Sequence, residues 1–165
     1  MAHLPRLPHK TPSNVSGAIY GLILGSSIIA ASSAEHADQP GVVEIYLCVT
    51  AIVFFLAHVY ARMIGKWIEG KPPTAAAVAR ELRWEWPMVA AQAAPAIVLL
   101  VGVLGLLDPS AAIAIALGVA MGELFLAVGY ACRQAKATRS QVMVSGLAAT
   151  LFAVAIILLK ILVHG

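Results

Sequence analysis

Charge is scarce in this chain, and long stretches have none. Lys, Arg, Asp and Glu make up 12% of its 165 residues, too few to solvate a soluble domain, for which about a quarter is usual. Aromatic residues are also sparse, and no basic stripe interleaves with them, so nucleic acid has no footprint here and is not an expected partner. The sequence has no H-E-x-x-H, G-x-S-x-G, P-loop or C-x-x-C, so no enzyme is expected. Its two cysteines, Cys48 and Cys132, fall near opposite faces of the bilayer in the topology below, which argues against a disulfide within the chain. The first 14 residues carry Pro5, Pro8 and Pro12 but no apolar core, so no cleavable signal peptide is expected and residues 1–14 read as a cytoplasmic tail. His3 and His9 in that tail are too far apart, with too few other ligands nearby, to suggest a metal site.

What the chain does have is apolar length. It is 61% hydrophobic, with a mean hydropathy of +0.88, and the excess is gathered into blocks. About 20 apolar residues are needed to cross about 30 Å of hydrocarbon. Five blocks meet that length: residues 15–33, 42–64, 87–107, 111–132 and 141–163. Ser13 or Asn14 is placed to cap the first, and Gly70-Lys71-Pro72-Pro73 ends the polar extension of the second. Asp108-Pro109 separates the third from the fourth, Asp as cap and Pro in the first turn. Between the second and third blocks, residues 75–86 are amphipathic, with Thr74 as cap, and suit a short interfacial helix or a docking surface. The expected fold is an all-α membrane protein, a bundle of five transmembrane helices in a single domain over residues 15–165.

Orientation follows from the basic residues. Arg6, Lys10, Arg62, Lys66, Lys71, Arg80, Arg83, Arg133, Lys136 and Arg139 fall on one side, and Lys160 on the other, where Glu35, Asp38 and Asp108 also lie. That bias predicts an N-terminus inside, a C-terminus outside and a multi-pass protein of the cytoplasmic (inner) membrane. Trp67, Trp84 and Trp86 fall at the same inner interface.

Without a hydrophobic drive in lipid, helices associate through close packing of small residues. Gly17, Gly21 and Gly25 form a double G-x-x-x-G ridge on the first span, and Gly118 and Gly122 repeat the spacing on the fourth. Such ridges suit static packing within the bundle, a homo-oligomer or a larger membrane complex. Ionisable residues at membrane depth are functional candidates by default. His58 lies about 9 Å and Glu123 about 13 Å from the inner ends of their helices, taken as Ile64 and Cys132. Gln92 falls at similar depth and Arg62 one turn nearer the cytoplasm, so the four could form a polar centre. Its two readings are a path for protons or a small cation, and a hydrogen bond that locks helices together. The corresponding functions are a small transporter or channel and a non-catalytic scaffold or accessory subunit. No motif names a cofactor.

Two resemblances attach to these residues. Gly17-Ala18-Ile19-Tyr20-Gly21 with Leu56-Ala57-His58-Val59-Tyr60-Ala61 resembles an uncharacterised family of small bacterial integral membrane proteins over nearly the whole chain, and implies no activity. Gly21-Leu22-Ile23-Leu24-Gly25 is similar to the G-x-x-D-G motif of the vacuolar iron transporter family, which also has five helices, an inside N-terminus and an insertion after the second helix. Here Leu24 stands where that family has a metal-handling Asp, and Gly65-Lys66-Trp67 replaces Gly-Glu-aromatic. The family's Glu-rich metal helices have no counterpart in residues 70–86. The likeness therefore implies a topology and argues against iron transport.

Overall fold

The computed structural model describes residues 14–164, and among them every regular element is a helix. These are α1 (Val15–Glu35), α2 (Pro40–Ile68), α3 (Ala75–Ala90), α4 (Ala93–Val103), α5 (Pro109–Gln134) and α6 (Arg139–His164). The tail before Asn14 and the side chain of Lys160 lie outside the described residues. Among the described residues four helices are long and apolar enough to cross a membrane: α1 over Val15–Ser33, α2, α5, and α6 over Arg139–Ile156. The α3–α4 pair makes a fifth if the bent pair counts as one span. Such helices mark a multi-pass membrane protein.

Side-chain caps set the starts of α1, α3 and α5. Asn14 accepts from the Gly17 amide at 2.9 Å, Thr74 from Ala77 at 3.2 Å and Asp108 from Ala111 at 3.0 Å. Each such cap stabilises its helix by about 1 kcal/mol. Ser110 also donates to Asp108, and these two bonds hold the Asp108 carboxyl below its usual range. Gly70 and Gly105, with φ of 81° and 73°, end α2 and α4 in the left-handed conformation that glycine adopts without cost. Around each, the two hydrogen bonds of a Schellman motif close the last turn: Lys71 to Lys66 with Gly70 to Trp67, and Leu106 to Val101 with Gly105 to Gly102. The same motif ends α5, but there Lys136 takes the left-handed position at φ 50°.

The stretch expected as one span over 87–107 is broken. α3 runs through Pro87 to Ala90, the chain turns at Ala91-Gln92, and α4 leaves at 52°. Pro95 accounts for the position. It has no amide proton to give the carbonyl four residues earlier, at Ala91, and its ring crowds that carbonyl. Pro is tolerated in a first helical turn, so α4 restarts with Pro95 in that turn.

α1 is the central post, packing on α2, α3, α5 and α6. Ile29, Val43, Leu47, Leu99, Ile113 and Ile156 meet in the main core. A second cluster, Phe55, Val59 and Met63 of α2, receives Val78, Leu82 and Val89 of α3. At one end of the bundle Pro40, Gly102 and Ala112 converge so closely that a Cβ on Gly102 would stand 2.5 Å from that of Ala112. The other end gathers Asn14, Arg62, Lys66 and the acidic face of α3.

Candidate functional site

The face that α3 turns inward is acidic. Glu81 and Glu85, one turn apart, are each 2% exposed, while Trp86 beside them is 57% exposed. Opposite them, Arg62 and Lys66 are also one turn apart, on α2. Arg62 donates from Nε to Glu81 Oε2 at 2.9 Å, and its Nη1 stands 3.2 Å from Glu85 Oε1. Lys66 donates to Glu81 Oε1. From α1, Asn14 Nδ2 donates to Glu85 Oε2 at 3.0 Å and to the Trp84 carbonyl at 2.9 Å. Two carboxylates thus face two cations, and α1, α2 and α3 are tied at one point. Burial pushes the Glu81 carboxyl up, but the hydrogen bonds and charges of Lys66 and Arg62 outweigh it and hold Glu81 below its usual range.

Arg62 therefore belongs to this cluster. Glu81 and Glu85 were not among the residues singled out from the sequence, and Asn14 was read there only as a helix cap. A signal for them existed: two acids at i, i+4 on one helix match two bases at i, i+4 on another. The amphipathic reading of residues 75–86, with Val78, Leu82 and the tryptophans as the apolar side, looked past it.

Gln92 occupies the break between α3 and α4 and is 5% exposed. Its Nε2 donates to the Gly21 carbonyl of α1. Gly21 and Gly25 make this approach feasible. A Cβ on Gly21 would run into the Met88 carbonyl, and one on Gly25 into the Gln92 amide. Gln92 Oε1 is buried with no hydrogen-bond partner among the described residues. Gln92 lines a cavity of about 10 Å³ between α1, α2 and the α3–α4 break. A groove of about 250 Å³ shares Leu47, Ala51 and Gln92 as its wall with that cavity.

The other candidates stand apart from this break. His58 packs its ring against Tyr20 of α1, centroids 5.4 Å apart. Glu123 on α5 has Oε2 buried without a hydrogen-bond partner among the described residues. No hydrogen bond or ion pair joins His58, Gln92 and Glu123 to one another among the described residues. Gly17 lies against its own cap, Asn14, whereas Gly118 and Gly122 have nothing within 4 Å on their open side among the described residues. α5 packs instead through Ala112, Ala116 and Ala120, all 0% exposed. At 3.6 residues per turn, Gly118 lies nearly opposite Ala116, so the alanine ridge faces the bundle and the glycine pair faces out. Cys48 and Cys132 are free thiols. Among the described residues no group of three or more His, Cys, Asp or Glu side chains converges to hold a metal.

No protein-family model, curated protein or solved structure matches this chain.

Proposed function

We propose that the chain spans the cytoplasmic membrane five times, the end of α3 from Pro87 and α4 together forming the bent third span, with the N-terminus inside and the C-terminus outside. We further propose that it passes protons or a small cation. The observation that carries this reading is the break at Gln92. Non-helical backbone at membrane depth is tolerated where it is buried in protein or lines a cavity, and broken spans are where transporters place their sites. Here the break holds a buried amide oxygen without a protein partner. Glu123, an ionisable side chain with one oxygen buried and unpaired among the described residues, supplies the group able to take up and release a proton, and His58 offers an imidazole on α2. In this reading the Arg62–Glu81–Glu85 cluster anchors the inner end, with α3 as an interfacial helix that runs into the third span.

The test is ion flux into liposomes containing the purified protein, followed with a pH-sensitive dye. Gln92→Leu and Glu123→Gln should each slow the flux by about tenfold, equivalent to about 1.4 kcal/mol of barrier. Flux unchanged by both substitutions overturns the assignment.

A second reading, a scaffold or accessory subunit, is favoured by one observation: the open side of Gly118 and Gly122. A small-residue face lets another helix approach closely. This reading requires that wild-type liposomes show no flux. It also requires that Gly122→Leu abolish co-purification with a partner chain while leaving the melting temperature unchanged. Gly21→Leu cannot serve as that probe, because Gly21 packs on Met88 within the chain.

A further inference from the structure

The amide of Gln92 can sit only one way round. The Gly21 carbonyl accepts a hydrogen bond and cannot donate one, so Nε2 must face it. Oε1 is thereby turned toward Gly25, where the absence of a Cβ leaves it room. The oxygen is buried and unpaired among the described residues, so it bears its full desolvation penalty if nothing satisfies it. Beside it lies the cavity of about 10 Å³, whose lining includes Gly25, Leu47, Thr50, Ala51 and Gln92. Two side chains there carry polar atoms: Gln92 offers an acceptor and Thr50 a hydroxyl that donates or accepts.

Size and chemistry together select the ligand. A single water needs about 10 to 15 Å³ of such space and two to four polar partners. An organic molecule does not fit. A hard metal cation requires roughly six oxygens, and the lining offers two side-chain oxygens. We propose that this cavity is a binding site for one ordered water, which donates to Gln92 Oε1 and bonds the Thr50 hydroxyl. The water completes the hydrogen bonding of the break and fastens it to α2, which the Gln92–Gly21 bond does not reach. Its entry runs from the α2–α4 groove, past Leu47 and Ala51. Under the conduction reading, on which only its role depends, this site narrows the cargo to protons. A proton moves along water hydrogen bonds, whereas a hydrated Na⁺ or K⁺ is too large for a one-water cavity.

The test uses the full chain in lipid nanodiscs, with the glutamine side chains isotopically labelled. Magic-angle-spinning NMR reads magnetisation transfer from water to the Gln92 amide, and proton and Na⁺ flux are measured separately in liposomes. The wild type should show a water cross-peak at Gln92. Thr50→Val, of nearly the same shape but without the hydroxyl, should weaken it several-fold, and Thr50→Ser should restore it. An absent wild-type cross-peak, or one of full strength in Thr50→Val, overturns the site whatever the flux. If Thr50→Val does not fold, the wild-type spectrum decides alone. A cross-peak lost in Thr50→Val from a protein without flux leaves the water site standing and removes the conduction reading. Na⁺ carried as fast as protons overturns the narrowing to protons.

Discussion

The side-chain amide of Gln92 is bonded to the main-chain carbonyl of Gly21, 71 residues earlier in the chain. One bond thus pins the bend between α3 and α4 to the helix at the centre of the bundle. The glycines at 21 and 25 read as one half of a packing device, and Gln92 is the other half.

This pairing makes Gly25→Ala a sensitive probe. The new methyl would displace the end of the Gln92 side chain and break its bond to Gly21, a loss of roughly 1 to 3 kcal/mol for a buried amide. A lower melting temperature in detergent is expected. Adding Gln92→Ala should recover part of the loss, so the two effects should not sum. Strict additivity would show that Gly25 and Gln92 do not meet.

Arg62 bridges both buried carboxylates, while Lys66 reaches one. Arg62→Ala should therefore destabilise the protein more than Lys66→Ala. The expected loss is roughly 1 to 3 kcal/mol, less than for a fully enclosed pair because the Arg62 side chain is 44% exposed. Equal effects in thermal melts would mean that the contact to Glu85 contributes nothing.

The same cluster sets an acid limit. The folded protein holds the Glu81 carboxyl below its ordinary value of 4.5. Its stabilising contribution is then complete above that value and is lost as the pH falls through the lower folded-state value. Melting temperature should fall on acidification below about pH 4.5, and Glu81→Gln should flatten that fall. Parallel profiles for the two proteins would rule the contribution out.

Lys136 takes a left-handed backbone where α2 and α4 use glycine. A side chain in that conformation costs about 1 kcal/mol. Lys136→Gly should accordingly raise the melting temperature, despite the loss of a cation from the basic end. A drop on substitution would mean that the Lys136 side chain makes a compensating contact.

How much of this was legible in the sequence depends on the scale of the feature. Apolar length alone marks α1, α2, α5 and α6, because crossing hydrocarbon is a demand on composition. The Asp108-Pro109 restart is equally local: a cap and its proline sit side by side. The kink at Ala91-Gln92 was written locally too, in Pro95, but one turn downstream of where it acts. Pro87 drew attention as a boundary, yet the helix runs through it. Contacts between helices were harder to read. Gly118 and Gly122 carry the familiar spacing, but Ala112, Ala116 and Ala120 do the packing, and spacing cannot say which side of a helix faces its neighbours. Glu81 and Glu85 looked like a solvated face because their partners are contributed by another helix.

The three side-chain bonds from α3 and Gln92 to α1 each join residues about 70 positions apart. The ribosome releases Asn14 and Gly21 long before Trp84, Glu85 and Gln92 exist. During synthesis the first helix must therefore wait in the membrane with its anchors unmet until half the protein has followed. Its final seat is fixed only when α3, and after it α5 and α6, arrive to pack on it, which makes assembly of this bundle a late event.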